Sequence, residues 1–222
     1  GGSITIQCQT FLATNATLIA DGGVGGYQGV NPSGGGGGRI AVLYDSVAQD
    51  AVPAPTVLFS VAGGLAQQGV CGDIGTLYFP DNRLLLDAHF PAPVITHRGQ
   101  WHVPGLTSLG VQSLYLSNAW VRFPPFGFTM NVSNSMVISG TDPRLHKLEF
   151  SNAVVTCGGD VALTSVSLLL RRGPSQPSSL SCAGRLTAAN STVAINGDGS
   201  SDAMHWISNG VARLRCGNLG LA

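Results

Sequence analysis

The sequence predicts an all-β protein built as a solenoid of stacked turns, and three observations lead to that prediction. The 222 residues include one lysine (Lys147) and one glutamate (Glu149), so the charged residues best suited to exposed helix surfaces are almost absent. Short runs of Val, Ile, Leu and Thr alternate with polar residues, which favours β-strands. An asparagine followed by a small residue and an apolar stretch returns along the chain, as expected of stacked repeats.

Charge and hydropathy exclude several classes of protein. The 11 basic and 11 acidic side chains cancel, so no basic excess points to nucleic acid or to an anionic membrane. The hydrophobic share of 44% is too high for a disordered chain. No apolar run approaches the ~20 residues of a membrane-spanning helix. We therefore expect a folded protein that neither binds nucleic acid nor inserts directly into a membrane, and that needs no cofactor.

The repeated asparagine sets the predicted length of one turn, or rung. Because Asn tolerates left-handed backbone angles, we expect it at a bend between two strands. The intervals between these asparagines indicate rungs of about 16–19 residues, with one rung lacking its asparagine near Ser165. The rung-bend asparagines are Asn15, Asn118, Asn134, Asn152, Asn190 and Asn209.

Apolar residues two positions apart recur in the predicted strands. Residues at this spacing point to the same side of a strand, so each pair can face the core. The rungs cover their inward side chains only when neighbouring rungs stack on them. We expect three such pairs to line one core: Leu114 with Leu116, Leu148 with Phe150, and Leu168 with Leu170.

The N-terminal portion, residues 1–90, carries a more particular pattern. Glycine occupies more than half of the positions from Gly22 to Gly38, and we expect this long loop to pack as extended segments where only glycine fits. Gly1-Gly2-Ser3-Ile4 precedes the loop, and Arg39-Ile40-Ala41 follows it. Together with the asparagine-bearing rungs over 110–217, this pattern resembles right-handed parallel β-helix (pectin-lyase-like) modules of large extracellular proteins in bacteria, protists and algae.

That resemblance implies one right-handed parallel β-helix domain over 1–222. Residues 45–113 are less regular and contain several prolines, but they show no clean domain boundary. The chain starts with Gly1-Gly2 and shows no signal peptide, so we expect a piece of something longer.

Three aspartates are the candidate catalytic residues if the chain is an enzyme. Asp142, Asp160 and Asp198 each follow a repeat asparagine by eight positions, so the predicted rungs place Asp142 beside Asp160. Carboxylates on neighbouring rungs can activate water or hold calcium. Aspartate also favours turns through local hydrogen bonds, and the paired-Asp and Gly-His-Gly motifs of polygalacturonases are absent. We therefore expect turns here and no catalytic residue, with a polysaccharide lyase or hydrolase as the alternative.

Metal and sugar sites have weaker sequence support. His97 and His102 lie five positions apart, so they do not share a strand face, and we expect them in a solvated loop. Residues 196–202 match only part of a calcium loop. No metal site is therefore expected. Trp101, Trp120 and Trp206 can stack on sugars, as in a glycan-binding adhesin, or fill the core.

Modification sites follow from cysteines and sequons. The cysteines show no CxxC pair, so they are read as disulfide candidates whose pairing the spacing leaves open. Asn15, Asn131 and Asn190 begin sequons. Asn131 is the favoured glycan acceptor, because the other two are repeat asparagines whose side chains are expected to face inward. The five disulfide candidates are Cys8, Cys71, Cys157, Cys182 and Cys216.

Together these features predict a structural role at the cell surface or elsewhere outside the cell. Sparse charge suits faces that other copies, neighbouring domains or glycans cover. The end rungs of an open solenoid must be capped or stacked. We expect a rigid rod in a surface or filament glycoprotein, a flagellar hair being one form, whose partners are other copies of itself or neighbouring domains of a larger assembly.

Overall fold

The structure is a computed structural model that describes residues 1–26, 33–66, 71–86, 94–171, 178–196, 213–215 and 218–221. It confirms the prediction of an all-β protein, since the single helix in this part of the chain, α1 (Ser46–Asp50), is little more than one turn long. Every strand pair recorded for these residues is parallel. The chain divides into two compact units, one formed by Gly1–Leu86 and His97–Pro104, the other by Asp87–Thr96 and Gly105–Ala222.

The first unit pairs its strands in parallel over long chain separations. Ile4 of the first strand lies beside Ile40, and Ile40 lies beside Leu77. Alternate residues of these strands face the core, where Ile40 and Leu77 are fully buried. In chain order the strands of this unit are β1 (Ser3–Gln7), β2 (Ala16–Ile19), β3 (Arg39–Leu43), β4 (Val57–Ser60), β5 (Thr76–Tyr78) and β7 (Arg98–His102), and β6 belongs to the second unit. β1 pairs with β3, β3 with β5, β5 with β7, β2 with β4, and β4 with β7.

Extended glycine-rich segments connect these strands. We call residues 20–26, 34–38, 61–66 and 71–75 the glycine bundle. Backbone N–H groups join its segments, with Gly35 N donating to Gly23 O at 2.8 Å and Gly64 N to Gly35 O at 2.8 Å. A Cβ added to Gly37 would lie 1.9 Å from the carbonyl oxygen of Val61, so a side chain has no room there. This packing agrees with the prediction for the glycine loop, whose residues 27–32 lie outside the described part.

The second unit contains three runs of parallel strands that the chain visits in turn. The order of the first run is β10-β13-β16-β19, that of the second is β8-β11-β14-β17-β20, and that of the third is β6-β9-β12-β15-β18-β21. Each pass along the chain therefore contributes one strand to each run. The strands are β6 (Val94–Ile95), β8 (Ser108–Val111), β9 (Leu114–Ser117), β10 (Trp120–Arg122), β11 (Phe128–Val132), β12 (Met136–Ser139), β13 (Lys147–Ser151), β14 (Ala153–Cys157), β15 (Val161–Thr164), β16 (Ser167–Arg171), β17 (Ser179–Cys182), β18 (Arg185–Ala189), β19 (Thr192–Asn196), β20 (Arg213–Arg215) and β21 (Asn218–Leu221).

The repeat in this unit is longer than the predicted rung. Met136 lies beside Val161, and Val161 lies beside Leu186. The stacked corner residues Ser165 and Asn190 are likewise 25 residues apart in the chain. One turn of the chain therefore contains three strands and three corners and takes about 25 residues. The predicted rung of 16–19 residues assumed a single asparagine corner in each turn.

The repeat asparagines mark corners, but different corners. Asn118 and Asn190 each lie between a strand of the third run and one of the first, and Ser165 occupies the same corner. Asn152 instead lies between β13 and β14. Asn134, between β11 and β12, occupies a third kind of corner, and the predicted spacing was too short because the three kinds were counted as one. Asn209 lies outside the described residues. Positive φ occurs at five non-glycine residues of the described chain: Asn15, Asn118, Asn152, Ser165 and Asn190.

Asn134 departs from the predicted bend. It lies between β11 and β12, at the corner from the second run to the third, and its φ is not positive. Its backbone N–H donates to Gln112 O at 2.7 Å, so the chain stays hydrogen-bonded to the preceding pass at this corner. The left-handed bend predicted for Asn134 is therefore wrong, although the residue does mark a corner.

Inward side chains form continuous apolar columns. All six predicted core residues, from Leu114 to Leu170, are at most 2% exposed. Phe123 stacks on Phe128 and Phe150, with ring centroids 5.1 and 5.0 Å apart. Each fully buried large apolar side chain contributes roughly 1.5–3 kcal/mol relative to an exposed one.

Candidate functional site

Asp142, the first candidate acid, lies in the connection between β12 and β13 and binds its own loop. The Arg144 guanidinium donates to Asp142 Oδ2 at 2.7 Å, and the Arg144 backbone N–H donates to Oδ1 at 2.8 Å. These hydrogen bonds lower the pKa of Asp142 to about 2. A carboxylate with this pKa is ionised at neutral pH and cannot act there as a general acid.

Asp160, the second candidate acid, holds the turn of the next pass. Its Oδ1 accepts a hydrogen bond from Arg185 N at 2.7 Å. A Cβ added to Gly184 would lie 2.1 Å from the same oxygen, so glycine is needed for this approach. Asp160 therefore occupies a turn, as we predicted from the sequence.

The structure does not bring Asp142 and Asp160 together. Asp160 O accepts from Met136 N, the first residue of β12, at 2.9 Å. Asp142 instead follows Ser139, the last residue of β12. The two carboxylates thus lie at opposite ends of neighbouring parallel strands, and their predicted adjacency is wrong because the rung length was wrong. Asp198 lies outside the described residues.

A buried carboxylate that the sequence reasoning did not single out lies on β13. Glu149 is 1% exposed although it alternates with the inward residues Leu148 and Phe150. Its Oε1 accepts from Trp120 Nε1 at 2.7 Å, and its Oε2 accepts from Arg122 Nε at 3.0 Å.

Two further cations complete the group around Glu149. Arg171 Nη2 lies 3.2 Å from Glu149 Oε2, so two guanidiniums flank one carboxylate. Lys147 Nζ lies 4.1 Å from the centre of the Trp120 ring, at cation–π distance. We call Trp120, Arg122, Lys147, Glu149 and Arg171 the Glu149 cluster. A signal was present in the sequence, since the lone lysine and the lone glutamate are two positions apart on one predicted strand face.

A second polar cluster lies in the first unit, around Asp81. Tyr44 Oη donates to Asp81 Oδ1 at 2.5 Å, and Ser46 Oγ donates to Oδ2 at 2.7 Å. Arg83 Nε lies 2.9 Å from Oδ2, and Arg83 Nη1 also contacts Asp50 at 2.5 Å. These contacts tie α1, whose first N–H groups are capped by Asp45, to the segment that follows β5.

The Asp81 cluster changes the acidity of its members. Partial burial, followed by the Asp81 hydrogen bond, raises the pKa of Tyr44 above its usual range. Partial burial on its own would raise the pKa of Asp81, but hydrogen bonds from Tyr44 and Ser46 outweigh it and lower that pKa. Neither change gives a proton carrier near neutral pH, so this cluster serves to hold backbone segments together.

The histidine and tryptophan candidates are placed differently from expectation. His97 is 4% exposed, and its Nδ1 accepts a hydrogen bond from Phe59 N at 3.2 Å, so the prediction of a solvated loop is wrong for it. His102 is exposed on β7 and stacks on Tyr78. Trp101 and Trp120 are buried, which prevents them from stacking on a sugar. Trp206 lies outside the described residues.

All three sequon asparagines are exposed, which corrects the expectation that Asn15 and Asn190 face inward. Asn131 lies on β11, where its Oδ1 accepts from Thr156 Oγ1 at 3.2 Å. Asn190 uses its amide nitrogen, since Nδ2 donates to Ser165 Oγ at 3.1 Å. Asn15 and Asn190 lie at corners with positive φ, whereas Asn131 lies within the strand β11.

No disulfide joins the four cysteines in the described part of the chain, all of which were disulfide candidates. Cys8 and Cys71 are half-buried, whereas Cys157 and Cys182 are buried. Cys216 lies outside the described residues. Two of these thiols, Cys157 and Cys182, are direct neighbours on adjacent strands.

An edge of the first unit is the remaining candidate site. We call β1 and β2 the first edge, because within the described residues β1 pairs with β3 alone and β2 with β4 alone. Gly2 O accepts from Arg39 N, and Cys8 N donates to Leu43 O, so even-numbered residues of β1 point to β3. By alternation the backbone groups of Ser3, Thr5 and Gln7 point the other way.

The first edge carries little charge and several exposed apolar groups. Residues 1–26 include one charged side chain, Asp21, whose Oδ1 accepts from Ser60 Oγ at 2.6 Å and from Ala62 N at 2.7 Å. Leu12, Ile19 and Val24 are 62%, 56% and 67% exposed. Strand edges that stay in water usually carry charges or prolines that discourage pairing. The first edge lacks both.

Other kinds of site find little support in the described chain. Its residues include no group of three or more His, Cys, Asp or Glu side chains arranged to hold a metal ion. No helix there is long and apolar enough to cross a membrane. Comparisons with known proteins add no relative, since no family model, curated protein or solved structure matches this chain.

Proposed function

We propose that the chain is a non-enzymatic structural module of an extracellular or cell-surface assembly, and that the first edge is where it joins its neighbour. The observation that carries this proposal is that the uncharged strands β1 and β2, beside exposed Leu12, Ile19 and Val24, are each paired on one side only within the described residues. An edge of this composition favours pairing with another strand over exposure to water.

We further propose that this parallel all-β fold is a right-handed parallel β-helix. Its support is the order in which the second unit visits its three runs of parallel strands. A crossover connection between parallel strands of one sheet is right-handed in ~98% of cases. The resemblance of the glycine-rich N-terminal pattern to β-helical modules of surface proteins supports a filament or surface rod, with sugars as further contacts.

The internal use of charge favours this role over catalysis. Asp142 and Asp160 bind their own or the next turn and lie at opposite ends of β12 and β15. A lyase or hydrolase using these acids would need them on one face, near one substrate bond. We therefore propose a binding and scaffolding role and no hydrolytic one.

Association of the purified chain tests the proposal. We expect wild-type protein to form oligomers whose mass rises with concentration in light scattering after size exclusion. Thr5→Lys places a charge on the exposed face of the edge strand β1, where a pairing strand would have to accommodate it, and should shift the population towards monomer. Thr164→Lys, at an exposed strand position of β15 in the second unit, is the matched control and should leave association unchanged. A wild-type chain that stays monomeric at high concentration, or a Thr5→Lys chain that associates equally, would overturn the proposal.

A further inference from the structure

Two buried thiols stand side by side in the second unit. Cys157 is the last residue of β14, Cys182 is the last residue of β17, and the parallel register pairs them directly. The two cysteines are 3% and 7% exposed. Each lies two positions after a buried residue of its strand, Val155 and Leu180 respectively, and so points to the same interior side. Both sulfur atoms therefore face the same interior column.

The backbone separation at this point suits a disulfide. Adjacent strands lie about 4.8 Å apart, within the range of about 4.4–6.8 Å that disulfides span between Cα atoms. Their Cβ atoms need to come about 0.5–1 Å closer than that spacing. The pair lies where both strands end, beside the turns Gly158-Gly159 and Ala183-Gly184, so this adjustment does not disturb a strand centre.

The contacts recorded for the two sulfur atoms are long thiol-to-carbonyl contacts. Cys157 Sγ lies 3.5 Å from Asp160 O and 3.6 Å from Asn134 O, and Cys182 Sγ lies 3.7 Å from Gly184 O. Thiols are weak donors, so these contacts cost little to lose.

In the described passes that precede Cys157, the column in which the thiols lie is aliphatic. Val132 is the register partner of Cys157 one pass earlier, and Val111 is the partner of Val132 one pass before that. The site thus accepts a compact apolar group, and a disulfide is one.

We propose that Cys157 and Cys182 form a disulfide that joins two consecutive passes of the second unit when the chain folds with a disulfide oxidant. One cysteine thiolate attacks a sulfur of a small disulfide such as oxidised glutathione, forming a mixed disulfide and releasing one thiolate. The second cysteine, deprotonated by solvent base, then attacks the protein-bound sulfur and releases the second thiolate. The protein loses two protons and two electrons, and the oxidant is reduced to two thiols.

This inference goes beyond the proposed function and does not depend on the first edge. The bond would close the loop that runs from Cys157 through β15 and β16 to Cys182. Disulfides stabilise chiefly by restricting the unfolded chain, more for longer loops. A staple at this position would also hold the register of β14 against β17.

A peptide map of the full 222-residue chain tests the pairing. The chain is refolded with reduced and oxidised glutathione, unfolded without reductant, alkylated and cut with trypsin. Lys147, Arg171, Arg172 and Arg185 place Cys157 in fragment 148–171 and Cys182 in fragment 173–185, while the other three cysteines fall in other fragments. We expect these two fragments to be linked in most of the protein. Alkylated thiols on both, or a link from either to another cysteine, would overturn the proposal.

Matched variants guard against a failure to fold. Cys157→Val mimics Val132 of the preceding pass, so it should fold and leave Cys182 alkylated. Cys8→Ser, in the first unit, should leave the link intact. Reductant should lower the melting temperature of the oxidised wild type by roughly 5–10 °C and leave that of Cys157→Val unchanged. An equal response of both proteins to reductant would overturn the stabilising role.

Discussion

At the scale of single residues, the only glutamate of the sequence lies in a buried position, where an ionised carboxylate needs partners. Glu149, the lone glutamate, accepts hydrogen bonds from Trp120 and Arg122 and lies within 3.2 Å of Arg171. A buried carboxylate is tolerated only when cations and donors replace its water. Because both guanidiniums stay partly exposed, the cluster is a brace on the outer side of three adjacent strands.

Replacing Glu149 with Gln should therefore destabilise the fold. The change keeps the shape of the side chain but leaves two guanidiniums without their carboxylate and weakens the acceptor of the Trp120 N–H. We expect the free energy of unfolding to fall by about 2–3 kcal/mol in guanidinium chloride titrations. Asp142→Asn, at a carboxylate on the surface of its loop, is the control and should change stability far less. A Glu149→Gln chain as stable as the wild type would show that the cluster contributes nothing net.

The corners show how far sequence reasoning reaches at this scale. A left-handed bend is a local property, so the asparagine pattern located four such bends and pointed to Ser165 at a fifth. Which corner each bend occupies depends on how residues of different passes stack. No local signal carries that information, so the rung length and the adjacency of Asp142 and Asp160 were predicted wrongly. The cluster around Glu149 escaped prediction for the same reason, because its partners come from three passes.

At the scale of elements, the glycine bundle replaces side-chain packing by backbone contact. Its segments carry N–H to C=O hydrogen bonds between them, as Gly72 N to Gly64 O at 2.9 Å shows. The close approach that these bonds need excludes a Cβ at some positions and leaves it free at others. Gly36 and Gly37 are adjacent in one segment but differ in the room for a Cβ, so alanine substitutions at these two positions can be compared directly.

Gly37→Ala and Gly36→Ala should differ strongly. The added Cβ meets Val61 O at 1.9 Å at position 37 but has nothing within 4 Å at position 36. Since the obstacle is backbone, we expect Gly37→Ala to destabilise the chain by about 3 kcal/mol or more. Gly36→Ala should stay within about 0.5 kcal/mol of the wild type. Equal melting temperatures for the two variants would show that the bundle yields easily and does not restrict these segments.

The Asp81 cluster should make the attachment of α1 sensitive to acid. The folded-state pKa of Asp81 is lower than its ordinary value of 3.8, so its stabilisation is present above that value and is lost as the pH falls through the folded pKa. We expect the part of wild-type stability that depends on Asp81 to be constant from pH 7 to 5 and to decline below about 4. Asp81→Asn should be less stable at pH 7 and should lose less between pH 5 and 3 in denaturant titrations. Parallel pH profiles for the two proteins would contradict this role.

At the scale of the whole molecule, several of the few charged side chains bind groups of their own unit, and one sheet face is neutral over four adjacent strands. The acids described above bind their own unit, as Asp21, Asp81, Asp160 and Glu149 show. Over β8, β11, β14 and β17, the two outward columns of the second run carry hydroxyl, amide and small groups and no charge, and their next register partners on β20 are Arg213 and Arg215. The neutral residues are Ser108, Thr129, Val154 and Ser179 in one column, and Gly110, Asn131, Thr156 and Ser181 in the next.

Asn131 lies on this face and is exposed, so an N-glycan attached to it would cover part of the face. Asn131 Oδ1 accepts from Thr156, which leaves Nδ2, the atom that carries an N-glycan, for the sugar, and the neighbouring Gly110 has open space beside it. Asn190 differs because its Nδ2 already donates to Ser165. We expect the chain secreted from eukaryotic cells to lose the mass of one glycan in Asn131→Gln and none in Asn134→Gln, which lies outside a sequon. Unchanged intact mass for Asn131→Gln, beyond the residue difference, would show that Asn131 carries no glycan and would contradict this prediction.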